Sequence, residues 1–307
     1  MTVKRRAART FTRLTGYQIT RAGATGPPDG LPAPARLRFD GHVSLEDLAA
    51  ARAKGGDRLL ERPVFIMSSV RSGSTLLRVL VNSHSQLYSP HELHLRDLRV
   101  NPKTKYVRHA MAELDADQSE LEYLLWDRVL HRDLMRHGKP TLVNKSPDDA
   151  FIWDRIVECW PDARFIYLFR HPAAIVDSWN RARDYWSREE TAADVLRYAS
   201  KIEEARRSRP GVAVRYEDLT EDPERETRRI CEYLEVAWEP GMLEYGEAAH
   251  GDFRPGLGDW GEQIKSGRVQ KARPLQGSGA LPASLRHTAA AWGYRGAPSE
   301  ETASEAV

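Results

Sequence analysis

Cysteine is nearly absent: Cys159 and Cys231 are the only two in 307 residues, which excludes a disulfide framework. Both fall in stretches with helical apolar spacing, so buried free thiols in a reducing compartment, the cytoplasm, are expected. Long apolar runs are missing too. The best, residues 75–81, is broken by Arg78 and falls far short of the roughly 20 residues that span a bilayer, so no transmembrane segment is expected. Nor is there a surplus of one charge, since 46 basic and 44 acidic residues leave a formal net of +2. That balance excludes a protein that coats nucleic acid through counterion release, and any anion site must be local. Metal-ligand spacings are lacking as well: His91-Glu92-Leu93-His94 is one residue short of the His-Glu-x-x-His signature, and no metal is expected.

What is present is ordinary globular material, 41% hydrophobic and 29% charged residues, on a chain long enough to bury a large core. Lys4, Arg5, Arg6, Arg9, Arg13 and Arg21 precede any acidic residue and form a basic arm without the apolar region of a secretory signal. Residues 23–35 are rich in Gly, Pro and Ala and mark a linker. The expected layout is therefore a basic arm and linker over 1–58, a folded domain over 59–295 and a small acidic tail over 296–307. Within the domain, short apolar runs at 64–67, 87–88, 141–143, 164–169 and 212–216 alternate with helical patterns. This βα alternation predicts an α/β fold of three layers, α/β/α, with a central parallel sheet and ligands at the carboxyl ends of its strands.

The segment Pro63-Val-Phe-Ile-Met-Ser-Ser-Val-Arg71-Ser72-Gly73-Ser74-Thr75 runs from a strand through a small-residue turn into a periodic helix. Such a junction cradles an anion: free amides at the helix start face the ligand, and Gly73 allows close approach. Ser72, Ser74 and Thr75 add hydroxyls, and Arg71 supplies a planar cationic fork. Aligning Gly73 with the second glycine of G-x-x-x-x-G-K-[ST] places Ser68 at the first glycine and Ser74 at the lysine, which argues against ATP. A second junction, Arg164-Phe-Ile-Tyr-Leu-Phe-Arg170-His171-Pro172, sets Pro172 at the first position of a helix. Arg170 then precedes it as a phosphate grip, and Ser178 follows two turns along.

These two junctions resemble the sulfotransferases that use 3′-phosphoadenosine 5′-phosphosulfate (PAPS). Residues 69–75 resemble that family's 5′-phosphosulfate loop, a P-loop-like turn, with Arg71 where cytosolic members carry lysine. Residues 164–178 resemble its 3′-phosphate motif, with His171 where many members have Asp. A third stretch, residues 258–269, is similar to the loop that closes over the 3′-phosphate, and Lys265, Ser266, Gly267 and Arg268 form its basic turn. Residues 212–219 resemble a recurring strand end of the family and read as structural. The resemblance covers roughly residues 60–295. It implies PAPS as cosubstrate, adenosine 3′,5′-bisphosphate (PAP) as product, and two separate grips on the nucleotide.

Sulfuryl transfer to a hydroxyl needs a base. In family members acting on carbohydrates, peptides or carrier-bound acyl chains, a Glu at the place of Glu92 takes that part, and the resemblance makes Glu92 the first choice. His94 competes, as histidine is the commonest general base, and His91 comes third. Lys145, in Val143-Asn-Lys-Ser-Pro147, ends a strand on the same edge, within reach of the sulfuryl oxygens or the acceptor. The run Ser89-Pro90-His91-Glu92-Leu93-His94-Leu95 is more similar to sulfotransferases of bacterial natural-product pathways, including those attached to polyketide synthases, than to phenol or steroid enzymes. A hydroxylated small-molecule, carbohydrate or carrier-bound acceptor is expected in a pocket formed by residues 88–100, 117–137 and 184–209, with Tyr185 and Trp186 as apolar lining. A P-loop kinase and a catalytically silent nucleotide-binding protein remain the competing classes.

Overall fold

The computed structural model describes residues 58–114, 116–182, 186–248, 250, 262–273 and 281–294. The basic arm, the linker, the acidic tail and residues 184 and 185 lie outside the described residues. In chain order the elements are β1 (Val64–Met67), α1 (Ser74–Asn82), β2 (Leu87–Tyr88), α2 (Lys105–Glu113), α3 (Gln118–His137), β3 (Thr141–Asn144), α4 (Trp153–Cys159), β4 (Arg164–Phe169), α5 (Pro172–Ala182), α6 (Arg188–Ser208), β5 (Gly211–Arg215), α7 (Tyr216–Glu221), α8 (Pro223–Leu234), α9 (Glu262–Lys265) and α10 (Arg286–Ala291). Short single-turn helices join several of them.

The strands form one parallel sheet in the order β2-β3-β1-β4-β5. Val64 pairs with Val143 on one side and Arg164 on the other, and Phe165 to Phe169 pair with Gly211 to Arg215. β1 is apolar at every position because both its faces are covered, as parallel sheets require. Val64 and Ile66 pack into one buried cluster with Leu77, Leu80, Val143 and Ile166, whereas Phe65 and Met67 pack into another with Trp126, Trp160, Phe165 and Tyr167. These are the two interfaces of a three-layer α/β/α fold. Burying each such side chain contributes about 1.5–3 kcal/mol before conformational entropy is subtracted. The strand expected at residues 212–216 is shifted by one position: Tyr216 opens α7.

The chain moves from β1 toward β2 and from β4 toward β5, so the strand order reverses around β1 and β4. Crevices open there at the carboxyl ends of the strands. The domain's first residues are tied down by Asp127, whose carboxylate accepts from the Leu59, Leu60 and Trp160 N–H groups at 2.7, 3.0 and 2.9 Å. Both cysteines are buried free thiols, and burial pushes the Cys231 thiol up to about 11. Among the described residues, no helix is long and apolar enough to cross a membrane.

Candidate active site

The turn after β1 is shaped by two residues with positive φ, Arg71 at 62° and Gly73 at 86°. The left-handed geometry of Gly73 lets α1 start at Ser74 with no side chain capping its first turn. Those N-terminal amides are the donors a helix cannot satisfy internally, and they carry the positive end of its dipole. A Cβ on Gly73 would also stand 2.2 Å from Cδ2 of Tyr216, so only glycine fits both the backbone and the packing. Ser72 does not add a donor to the cradle: its hydroxyl is buried and spent on Ser69 at 2.7 Å. Ser74 and Thr75 lie in the first turn of α1 and are almost fully buried.

The two grips expected as separate meet in the structure. Arg71 Nε donates to Ser178 Oγ at 3.3 Å, and Arg170 Nη1 donates to the Arg71 carbonyl at 2.8 Å. The Arg170 guanidinium lies 4.6 Å from the centre of the Tyr216 ring, and burial lowers its pKa from the ordinary value. Its Nε is buried without a hydrogen-bond partner among the described residues. Pro172 opens α5 as expected. The His171 ring accepts from the Ala173 amide at 3.2 Å, a capping task, while its own amide donates to Glu217 at 3.1 Å. In the third stretch, Gly267 has φ 70° and its Cα approaches Gly246 so closely that neither tolerates a side chain. Tyr245 fixes the same turn by donating to the Arg268 carbonyl at 3.0 Å. Lys265, Ser266 and Arg268 are exposed on that turn.

Glu92 sits between α1 and β3 as part of an ion pair. The Lys145 ammonium, completely buried at the end of β3, donates to Glu92 Oε1, and His94 Nε2 lies 3.8 Å from Oε2. His94 is anchored in turn by Nδ1 to Ser146 Oγ at 3.2 Å. Burial lowers the Lys145 pKa, an effect Glu92 opposes. Lys145 is thus in contact with the carboxylate rather than open to solvent.

A sequence profile of the Sulfotransferase family matches residues 63–240, the span that holds every one of these features except the Gly246–Gly267 turn. The chain belongs to the sulfotransferase family. It is 29% identical over 218 residues to an uncharacterized protein of Aquifex aeolicus, a match covering 63% of this chain and 28% of that one. It is 24% identical over 202 residues to protein-tyrosine sulfotransferase 1 of Danio rerio, covering 60% of this chain and 56% of the relative. The sulfotransferase therefore spans little more than half, or less, of these relatives. Among solved structures it is similar to the sulfotransferase domain from the curacin biosynthetic pathway, with TM-score 0.57 and 25% identity over 78% of this chain and 99% of that one. The sulfotransferase domain of the Synechococcus PCC 7002 olefin synthase gives 0.52 and 26% over 76% and 94%.

Beside Glu92 the sulfotransferase has a cavity of about 600 Å³ lined by Tyr88, Glu92 and Leu93 on one side and by Val129, Arg132 and Arg136 of α3 on the other. Residues 88–93 and the second half of α3 are thus brought together as expected, while none of the described residues 186–209 lines this cavity. Trp186 stacks on Trp179 instead, with centroids 5.8 Å apart.

Two residues next to the site escaped the sequence reading. Tyr216, which the sequence places at a strand end with a structural part, has a ring that touches both the loop glycine and Arg170. Arg78 stands out in the sequence only as a break in an apolar run. It is almost fully buried, donates through Nη1 to the Ser89 carbonyl at 3.2 Å, and leaves Nε and Nη2 without partners among the described residues. Burial pushes its pKa down to about 10 despite the opposing charge of Glu92. The available signal is a lone arginine inside the apolar run 76–81, seven residues after Arg71.

Proposed function

We propose that this sulfotransferase transfers a sulfuryl group from PAPS to the hydroxyl of a small-molecule, carbohydrate or carrier-bound acceptor, releasing PAP, with Glu92 as general base. Bound PAPS would supply the activated sulfuryl group. The chain's own groups fit it: a buried guanidinium with an unpartnered N–H at Arg170, a second fork at Arg71 and an uncapped helix start. Arg71, Gly73, Ser74, Thr75 and the amides of α1 would hold the 5′-phosphosulfate, with Ser72 bracing the turn from behind. Arg170 and Ser178, with the turn of Lys265, Ser266, Gly267 and Arg268, would hold the 3′-phosphate. Because Arg71 already contacts Ser178, it stands between the two grips.

Glu92 takes the acceptor proton as the acceptor oxygen gains sulfur and the sulfur–oxygen bond to the phosphate breaks. Lys145 fixes the carboxylate at one oxygen and leaves the other toward His94. Arg71 and the α1 amides meet the charge left on the departing phosphate. The observation that carries this reading is the Glu92–Lys145 pair, set at the edge of a cavity and on the same strand ends as the anion turn. Solved relatives in a curacin pathway and an olefin synthase support an acceptor from a biosynthetic chain. The buried, unlinked cysteines support a cytoplasmic enzyme.

Incubation with PAPS and a panel of hydroxylated acceptors, scored by the mass gained, tests reaction and substrate together. Calorimetry with PAP in the absence of Mg²⁺ separates this reading from a kinase, which needs metal-bound ATP. Glu92→Gln should slow the chemical step by about 10²-fold or more with PAP affinity nearly intact. An unchanged rate in that variant refutes the base assignment. Arg71→Ala should abolish binding or turnover.

A further inference from the structure

Residues 281–294 lie beyond the span that the family profile matches, yet they pack onto the strand end that carries Arg170. Helix α10 stops at Gly293, whose φ is 80°, and the Gly293 and Tyr294 amides donate back to the Ala290 and Ala289 carbonyls at 3.0 and 2.8 Å. This glycine-centred closure of a helix end fixes the direction in which Tyr294 leaves. Leu285, Ala289 and Trp292 of the same segment are buried. The segment touches both chain neighbours of Arg170: Trp292 stacks on Phe169 with ring centroids 4.9 Å apart, and the Tyr294 ring meets His171 edge-on at 5.0 Å. Beyond that contact the Tyr294 hydroxyl donates to Glu217 Oε2 at 2.5 Å, while the His171 amide donates to Glu217 Oε1 at 3.1 Å. One carboxylate in the first turn of α7 thus joins Tyr294 to the peptide between Arg170 and His171.

Arg170 spends Nη1 on the Arg71 carbonyl, and its Nε is buried with no partner among the described residues. A two-pronged grip on a phosphate needs the nitrogens of one planar fork aimed together, and their aim follows the backbone from Phe169 to His171. Glu217 holds that backbone at one oxygen only. A carboxylate free at its other oxygen could turn away from the His171 amide, and the Tyr294 hydroxyl supplies the second hold. Resting on the assignment of Arg170 to the 3′-phosphate, we propose that Tyr294 is a positioning residue for the nucleotide. Through Glu217 its hydroxyl sets the peptide that aims Arg170, and so raises affinity for the 3′-phosphate without touching the ligand.

Calorimetric titration of the full chain with PAP and with adenosine 5′-phosphate, which lacks the 3′-phosphate, tests this. Tyr294→Phe removes the hydroxyl and keeps the ring. The segment stays anchored, because Trp292 Nε1 donates to Glu203 at 3.0 Å and Arg215 Nη1 to the Gly293 carbonyl at 3.4 Å. The variant should bind PAP roughly three- to tenfold more weakly and adenosine 5′-phosphate as the parent does. In an Arg170→Lys background, where the planar fork is already gone, the same exchange should cost nothing further. Unchanged PAP affinity in Tyr294→Phe overturns the proposal. So does an equal loss for both nucleotides, or a loss that persists beside Arg170→Lys, since either marks a tyrosine that only holds the fold. If Arg170→Lys alone binds PAP as tightly as the parent, the assignment of Arg170 to the phosphate fails and the proposal falls with it, a result distinct from the failure of Tyr294 alone.

Discussion

Gly73→Ala tests the anion turn without any need for the acceptor. The alanine must adopt φ near 86°, a left-handed conformation that costs about 1–2 kcal/mol for a residue with a Cβ. Its methyl group would also sit 2.2 and 2.5 Å from two ring carbons of Tyr216. The ring cannot yield freely because Arg170 lies over it at 4.6 Å, so a further ~1–3 kcal/mol of overpacking is expected. Together these predict a loss of about 2–5 kcal/mol, seen in a denaturant melt, and a PAP affinity weakened by roughly tenfold or more as Arg170 is pushed aside. A double-mutant cycle with Tyr216→Ala separates the two causes. With the ring gone, only the backbone cost of about 1–2 kcal/mol should remain, leaving a coupling of at least ~1 kcal/mol. Equal costs in both backgrounds, or a Gly73→Ala variant that melts and binds PAP as the parent does, would refute the claim that Tyr216 and Gly73 build the cradle jointly.

Arg78→Met removes a buried cation with two unpartnered nitrogens, and replacing such a charge by an apolar side chain of similar length is often nearly neutral for stability. The variant should melt within about 1 kcal/mol of the parent, yet lose roughly tenfold or more in turnover because Ser89 and the segment bearing Glu92 lose their support. Unfolding and steady-state rates measured on one preparation decide it; full activity would mean that Arg78 only fills space. Asp149 is buried in contact with Asn144, whose amide donates to it at 2.7 Å. Burial, with the charges of Asp148 and Glu92, raises its pKa well above the ordinary value against the pull of Asn144 and Lys145. The folded state then keeps a proton that the unfolded chain releases above about pH 4, so this site's stabilisation is full below that pH and is lost as pH rises through the folded pKa. Asp149→Asn should therefore match the parent below about pH 4 and melt higher at neutral pH, as a series of thermal scans against pH can show. A variant that melts lower at neutral pH would count against it.

Both junctions proposed to hold the nucleotide are legible in the sequence as strand-to-helix turns, because such connections leave a strong local pattern. β1 is apolar at four consecutive positions, Gly73 needs a left-handed backbone, and Pro172 opens a helix. These are properties of residues and their immediate neighbours. What the pattern could not convey was the contact between the junctions. Arg71 and Ser178 are 107 residues apart and meet because β1 and β4 are hydrogen-bonded neighbours, with Val64 beside Arg164. Tyr216 joins them through the next strand, since β5 pairs with β4 and brings its carboxyl end to the same edge. Strand order is a long-range fact, so a motif can be recognised while its partner is missed.

The segment proposed to carry the base shows the same limit from the opposite direction. Glu92 lies in an irregular stretch after a strand of only two residues, with no periodicity to place it, and its significance in the sequence rests on resemblance alone. The chain three residues before it is fixed by three hydrogen bonds at Ser89. Asn82 at the end of α1 accepts the Ser89 amide at 2.9 Å, Ser89 Oγ donates to the Val143 carbonyl at 2.7 Å, and Arg78 holds the Ser89 carbonyl. Helix α1 therefore carries the turn proposed to hold the anion at its first residue and an anchor of the segment bearing Glu92 at its last, one element spanning both halves of the proposed site. A change in the packing of α1 that shifts one half must shift the other. It follows that variants at its buried apolar positions, such as Leu77 or Leu80, should lower nucleotide affinity and turnover together, whereas Tyr294→Phe should touch only the nucleotide.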